Sequence, residues 1–127
     1  MSKRLILLVE DDRDIREILA QTLEDEGFAV VKASNGLEAL SVVRCLPTRP
    51  AVILLDLMMP VMDGYAFLAE RRKDSALASI PVAVLTASHR VDRGQVGAAT
   101  PIIAKPINLP HLMTVLDELG ARPEAVG

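Results

Sequence analysis

Short apolar runs and longer amphipathic stretches alternate along this 127-residue chain. The runs are rich in Val, Ile and Leu, and continuous apolar runs of this length are typical of strands buried inside a parallel sheet. Lys32 interrupts the second run, which indicates a strand at the edge of the sheet. Strands are therefore predicted at residues 5–9, 29–33, 51–55, 82–86 and 102–105.

The stretches between the runs carry apolar residues at the spacing of an α-helix. In residues 11–28, the residues Ile15, Ile18, Leu19 and Leu23 form one apolar stripe along the helix. Further helices are predicted at residues 37–46, 64–73 and 109–119. Their helically spaced apolar residues are Leu37, Leu40 and Val43 in the first of these, and Leu109, Leu112, Met113, Leu116 and Leu119, facing inward, in the last.

Strand and helix thus alternate throughout, an order typical of a parallel sheet with helices on both faces. We predict one doubly wound α/β domain over residues 1–120 and a frayed C-terminal tail at residues 121–127. The helix between the fourth and fifth strands is expected to be short or irregular. Gly94 and Gly97 each disfavour a helix interior there by about 1 kcal/mol relative to Ala.

Composition and charge narrow the class of function. The net charge is −3, so the chain lacks the basic excess of DNA-binding domains, and no nucleic-acid partner is expected. No apolar stretch reaches the roughly 20 residues that a membrane helix needs. Cys45 is the one cysteine, so an internal disulfide is impossible and we expect the protein in the reducing cytoplasm.

Polar side chains follow the apolar runs at the points where the strands end. Glu10 and Asp11 follow the first strand, and Asp56 follows the third. Thr86 ends the fourth strand, and Lys105 ends the fifth. Because the carboxyl ends of parallel strands share one edge, where open α/β sheets bind ligands, these side chains are expected to converge. The alternatives are that the two acids merely favour a helix N-terminus and that the threonine is an ordinary strand residue.

Three crowded carboxylates repel one another unless a cation lies between them. Magnesium suits such a site, because it takes few carboxylates and completes its coordination with water and phosphate oxygens. A lysine and a threonine hydroxyl can hold an anion, and an aspartate can attack phosphorus to form an acyl phosphate. The set therefore predicts a magnesium site that installs and holds a phosphoryl group on one aspartate.

The segments "LLVEDD", "DLMMPVMDG", "VLTA" and "AKP" make the chain resemble the receiver domain of two-component response regulators. The resemblance covers residues 4–119 and is greatest to single-domain chemotaxis regulators. It implies a flavodoxin-like five-stranded parallel sheet with strand order 2-1-3-4-5. It also implies a phosphoprotein that signals through protein contacts, and not an enzyme that turns over a substrate.

The same resemblance assigns a role to each candidate residue. Asp56 corresponds to the phosphoacceptor, and Mg²⁺ is held by Glu10, Asp11, Asp56 and the backbone carbonyl of Met58. In the family the phosphoryl group comes from a phosphohistidine on a sensor histidine kinase or a histidine phosphotransfer domain. The downstream protein target is not implied.

Further residues resemble the part of the receiver that binds the phosphoryl group. Thr86 and Ala87 correspond to the switch position and the residue after it, and Lys105 to the phosphate-pairing lysine. The bond before Pro106 is cis in the family, and X–Pro is the context in which a cis bond costs little.

The chain also departs from the family. Ile102 stands where many receivers have an aromatic residue three positions before the lysine, and Ile107 where many have Phe. One alternative is a receiver that is part of a larger multidomain regulator or hybrid kinase. Another is a magnesium-dependent aspartyl phosphatase, but such an enzyme needs a second acid where Met58 stands.

Overall fold

The structure, a computed structural model, describes residues 3–123. The strands are β1 (Leu5–Val9), β2 (Ala29–Ala33), β3 (Val52–Asp56), β4 (Val82–Thr86) and β5 (Ile102–Ala104). The helices are α1 (Arg13–Asp25), α2 (Gly36–Cys45), α3 (Gly64–Lys73), α4 (Ser75–Ala78), α5 (Arg93–Val96) and α6 (Leu109–Glu118). Helix and strand alternate along the chain, except that α3 and α4 follow one another.

All the strands are parallel and lie in the order β2-β1-β3-β4-β5. The strand order reverses between β1 and β3, because the chain adds β2 on one side of β1 and all later strands on the other. This confirms the predicted doubly wound, flavodoxin-like fold class. In such sheets the ligand crevice lies at the carboxyl ends of the strands beside this reversal.

Apolar side chains fill both faces of the sheet. Along β3 they alternate between two clusters, with Ile53 and Leu55 in one and Val52 and Leu54 in the other. Every residue of β3 is buried. This double burial explains why β3 is a continuous apolar run in the sequence, and why a carboxylate at its end is exceptional.

The four longest helices begin at residues whose side chains accept a hydrogen bond from the backbone three residues further on. This cap satisfies one of the N–H groups that have no partner within the helix. The capping residues are Asp12 for α1, Asn35 for α2, Asp63 for α3 and Asn108 for α6, at 2.9–3.0 Å. Asp12 and Asp63 are therefore accounted for by the fold.

Some apolar positions differ from the predicted pattern. Ile18 of α1 is 68% exposed and Leu37 of α2 is 54% exposed, although both have the helical spacing of their buried neighbours. Val115 of α6 is buried, although it was missing from the predicted inward set. The apolar positions of these helices extend beyond the face that the sheet covers, so spacing alone does not locate the edge of the contact. The third strand also runs one residue further than predicted, to Asp56.

The helix between the fourth and fifth strands is short, as predicted. α5 has four residues, which confirms a short helix there, whereas α4 was missing from the sequence prediction. Beyond α6, Ala121 is buried and its N–H donates to the carbonyl of Leu116 at 2.8 Å. Residues 124–127 of the predicted tail lie outside the described residues. Within residues 3–123 no helix is long and apolar enough to cross a membrane.

Candidate functional site

Three carboxylates meet at the carboxyl edge of the sheet. The register pairs Val9 of β1 with Leu55 of β3, so Glu10 and Asp56 come next on neighbouring strands, and Asp11 follows in the loop. One oxygen from each acid lies within 4.8 Å of the other two. Glu10 and Asp56 are buried and Asp11 is exposed, so the group opens to solvent on one side.

Lys105 lies between the two buried acids. Its Nζ is 2.5 Å from Oε1 of Glu10 and 3.3 Å from Oδ2 of Asp56. Burial alone would lower the pKa of Lys105, but the hydrogen bond to Glu10 and the charges of both acids raise it above its usual value. Lys105 is therefore held as an ammonium group beside Asp56.

The pKa of Glu10 is also raised, but for a carboxyl group this favours the uncharged form. Burial of its carboxyl group, together with the hydrogen bond and the negative charge of Asp56, raises its pKa to about 7, although Lys105 acts in the other direction. Burial is the largest cause of this rise, and the negative charge of Asp56 adds to it, so repulsion between the two acids is one part of the effect. A cation at this position would relieve that repulsion.

Asp56 is held by the loop that follows β3. The backbone N–H of Met58 donates to Oδ1 of Asp56 at 3.2 Å, and the N–H of Gly64 donates to the carbonyl of Leu57 at 3.0 Å. A Cβ on Gly64 would lie 2.6 Å from the carbonyl oxygen of Asp56, so only glycine allows α3 to start this close to the site. The Met58 side chain is 68% exposed, so the thioether is not part of the core.

Thr86 and Lys105 come together because β4 and β5 end side by side. Thr86 pairs with Ala104, and the N–H of Lys105 donates to the carbonyl of Thr86 at 2.9 Å. The Thr86 side chain is buried, and its hydroxyl accepts from the N–H of Ser88 at 3.1 Å. Ala87 follows in an exposed position, and the Lys105–Pro106 bond is cis.

Sequence reasoning did not identify Arg16 as part of this region. Nη1 of Arg16 donates to the carbonyl of Glu10 at 2.9 Å and to that of Asp11 at 3.3 Å. The only signal in the sequence is that Arg16 stands one helical turn after Asp12, which allows its side chain to reach back over the start of α1. That signal is weak, because many exposed helices carry an arginine there.

The acidic group fits a divalent cation on geometry and charge. Oxygens that share one Mg²⁺ at about 2.1 Å lie about 3–4 Å apart, and the three acids offer oxygens that lie within 4.8 Å of one another. Carboxylate oxygens are the ligands that Mg²⁺ prefers, and Glu10 and Asp56 already repel one another. The ammonium group of Lys105 lies beside Asp56, where it can bind an anion.

A doubly wound sheet with an acidic group and a lysine at its switch point is an architecture suited to binding a phosphoryl group together with a cation. The sequence model of the response regulator receiver domain family matches residues 6–117. The chain belongs to this family of two-component signalling proteins.

Individual relatives agree with this membership. The chain is 36% identical to response regulator Rre1 of Synechocystis over 125 residues, which cover 94% of this chain and 53% of that protein. The structure of chemotaxis protein CheY4 of Vibrio cholerae is similar with a TM-score of 0.81 and 33% identity, covering 91% of this chain and 98% of that one. Response regulator TrrA of Thermotoga maritima, solved with Mg²⁺ and BeF, has a TM-score of 0.79 and 30% identity, covering 91% of this chain and 98% of that one. The chain spans about half or less of the length of the first curated relatives it matches.

Proposed function

We propose that Asp56 accepts a phosphoryl group from a phosphohistidine in a reaction that depends on Mg²⁺. The observation that carries this proposal is the position of the Asp56 carboxylate. It is nearly buried at the end of the central strand β3, beside Glu10 and Asp11, with the ammonium group of Lys105 3.3 Å away. These neighbours stabilise the charge on the phosphoryl group as it transfers.

In the proposed reaction an oxygen of Asp56 attacks phosphorus in line with the leaving nitrogen. The phosphorus–nitrogen bond breaks, and the imidazole of the donor leaves with the electron pair of that bond. Glu10, Asp11, Asp56 and the backbone carbonyl of Met58 would hold Mg²⁺, which supplies positive charge for a phosphoryl oxygen. The product is an acyl phosphate on Asp56.

The remaining site residues hold the product. Lys105 exchanges its contact with Asp56 for one with a phosphoryl oxygen, because the phosphoryl group carries more negative charge than the carboxylate it replaces. The hydroxyl of Thr86 turns from the N–H of Ser88 to donate to another phosphoryl oxygen. The backbone N–H of Ala87 lies on the same edge and adds a further donor. Thr86 thereby couples phosphorylation to the segment that follows β4.

The proposed donor is a sensor histidine kinase or a histidine phosphotransfer domain. An apolar groove of about 360 Å³ lies between α1 and the loop before α6, and Lys105 is one of its lining residues. Ile18 of α1 and Ile107 and Leu109 from the other side line the same groove. A helix that carries the phosphohistidine could dock there and bring its phosphoryl group to Asp56. The apolar lining supplies the contact area that such docking needs.

This reaction makes the chain a signalling phosphoacceptor and not an enzyme that releases a product on each turn. The proposed receiver domain covers residues 1–120, with residues 121–127 as a tail, and its proposed location is the cytoplasm. An aspartyl phosphatase is disfavoured because Met58 stands where that chemistry needs a second acid.

Phosphorylation of the Asp56→Asn variant tests the proposal. With acetyl phosphate and Mg²⁺, intact-mass spectrometry should show one added phosphoryl group on the wild-type protein and none on Asp56→Asn. Asp63→Asn is the matched control, because Asp63 lies in the same loop and asparagine caps a helix as well as aspartate does. It should be phosphorylated like the wild type. Equal incorporation in wild type and Asp56→Asn would overturn the assignment.

A further inference from the structure

Of the three acids, Asp11 has the fewest side-chain contacts. Among residues 3–123 its carboxylate takes part in no hydrogen bond or ion pair, and the residue is exposed. Glu10 and Asp56, by contrast, are buried and both contact Lys105. The direction of the Asp11 side chain therefore depends on how the backbone around it is held.

That backbone is fixed on both sides by the fold. Before Asp11, the N–H of Glu10 donates to the carbonyl of Ala33 at 3.0 Å. After it, the side chain of Asp12 caps α1 by accepting from the N–H of Ile15 at 3.0 Å. These contacts hold the flanking residues, but they provide no hydrogen-bond donor for the carbonyl groups of Glu10 and Asp11.

Arg16 supplies the missing contact. Its Nη1 donates to both carbonyls, at 2.9 Å for Glu10 and 3.3 Å for Asp11. Arg16 is itself fixed, because its N–H donates to the carbonyl of Asp12 at 2.9 Å in the first turn of α1. One guanidinium group thus joins the start of the helix to the two residues that leave β1.

We propose that Arg16 is a positioning residue for the cation site, which it serves by holding the backbone that carries Glu10 and Asp11. The inference rests on the proposed function, because it assumes that these acids bind Mg²⁺. Arg16 contacts only main-chain oxygens in this region, so its role is to orient the ligands and not to bind the ion. Groups that orient metal ligands in this way commonly change metal affinity by about 10-fold or more when they are removed.

Electrostatics and positioning predict opposite signs for the loss of Arg16. A guanidinium group near the site repels a divalent cation, so charge alone would make removal of Arg16 strengthen Mg²⁺ binding. If the arginine positions the acids, removal weakens binding despite the lost repulsion. The sign of the change in affinity therefore distinguishes the two effects.

The test measures the Mg²⁺ affinity of Arg16→Gln by calorimetry, since the chain has no tryptophan for a fluorescence assay. We expect the dissociation constant to rise about 10-fold. Arg16→Lys keeps the charge but loses the planar fork of donors, and should show a smaller rise. Arg13→Gln removes a neighbouring exposed arginine of α1 and should stay within about twofold of wild type. Asp11→Ala, which loses a ligand, should weaken binding most.

Phosphorylation kinetics provide a second readout. The half-saturating Mg²⁺ concentration for phosphorylation by acetyl phosphate should rise in Arg16→Gln by the same factor as the dissociation constant. The rate at saturating Mg²⁺ should stay within about twofold of wild type, because excess ion restores the occupied site. A general loss of folding would lower the rate at every concentration.

The outcomes separate this inference from the proposed function. If wild type binds Mg²⁺ and Asp11→Ala does not, but Arg16→Gln binds as tightly as wild type or more tightly, the positioning role is overturned. If wild type itself does not bind Mg²⁺, the proposed function fails and the inference fails with it. If thermal unfolding shows that Arg16→Gln is unfolded, Arg16→Lys decides: weaker binding supports the inference and unchanged binding overturns it.

Discussion

Glu10 shows how one residue can be placed against its own electrostatic preference. Its side chain is fully buried next to Asp56, and burial is the main reason that its pKa is raised to about 7. The contact with Lys105 offsets only part of this effect. An acid in such a position is destabilising in the folded protein without a cation, and residues of this kind are typical of functional sites.

The stability of the metal-free protein should therefore depend on the charge of Glu10. Between its ordinary pKa of 4.5 and about 7, the folded chain keeps a proton that the unfolded chain has released. The free energy of unfolding consequently falls as pH rises through this range and changes no further from this cause above it. Glu10→Gln cannot ionise, so its stability relative to wild type should increase over the same range, by on the order of 3 kcal/mol.

Urea unfolding in EDTA, from pH 4.5 to pH 8, measures this difference. The control is Glu24→Gln, which changes an exposed glutamate of α1 and should run parallel to wild type. A difference between Glu10→Gln and wild type that does not vary with pH would mean that Lys105 compensates the buried charge completely.

At the scale of elements, the short helix α5 is tied to α3. The N–H of Asp92 donates to the hydroxyl of Tyr65 at 3.0 Å, and the side chain of Arg72 donates to the carbonyl of Gln95. Val96 is buried in the core. The connection from the site to this region begins at Thr86, whose hydroxyl accepts from the N–H of Ser88. Any movement of Thr86 toward a phosphoryl group acts on residues 87–100 first.

We therefore expect activation to change residues 87–100, with little contribution from Ile102. Ile102 is partly buried against the core and has no aromatic ring that could move into space left by Thr86. Hydrogen exchange with and without beryllofluoride and Mg²⁺ should show the main change in protection in residues 87–100. A ligand shifts an equilibrium only through its different interactions with the two states, and in the proposed function Thr86 and Lys105 are the residues expected to provide them.

Two variants identify the route of this change. In Ile102→Ala the response should persist. In Tyr65→Phe, which loses the hydroxyl that accepts from Asp92, residues 87–100 should exchange faster before activation, because one anchor of the segment is missing. An unchanged segment on activation, or a response abolished by Ile102→Ala, would show that the signal passes through β5.

For the molecule as a whole, the apolar groove next to the site is the proposed contact for a protein donor. A substitution in this groove should therefore affect phosphoryl transfer from a protein but not from a small molecule. Ile18 lines this groove and is 68% exposed. Ile18→Asp places a charge on the proposed docking surface without contact to the three acids. It should slow phosphoryl transfer from a phosphohistidine-containing donor about 10-fold. Phosphorylation by acetyl phosphate should not change.

The matched control is Leu37→Asp, which charges an exposed leucine that lies outside the groove, on α2. Its transfer rate from the protein donor should stay close to that of wild type. Equal slowing by both substitutions would point to a general effect of added negative charge, and no slowing by Ile18→Asp would exclude the groove as the docking surface.

The order of elements, and the edge of the sheet at which the polar residues meet, can both be read from the amino-acid sequence alone. Buried parallel strands need apolar side chains on both faces, so β1, β3 and β4 are visible as continuous runs. The polar residue at the end of each run then marks the carboxyl edge, which parallel strands share. For this reason Glu10, Asp56, Thr86 and Lys105 could be grouped without a structure.

Other features could be found only in the folded chain, because they involve residues that are distant in the sequence or that share the same helical spacing. Ile18 belongs to the same apolar stripe of α1 as the buried Leu19 and Leu23, but only part of that stripe is buried in the fold. The contact of Tyr65 with Asp92 joins residues 27 positions apart, and no local pattern records it. Arg16 acts through backbone carbonyls, which every residue carries, so its sequence neighbours cannot reveal its partners. Such contacts follow from how elements pack, and packing is a property of the folded chain as a whole.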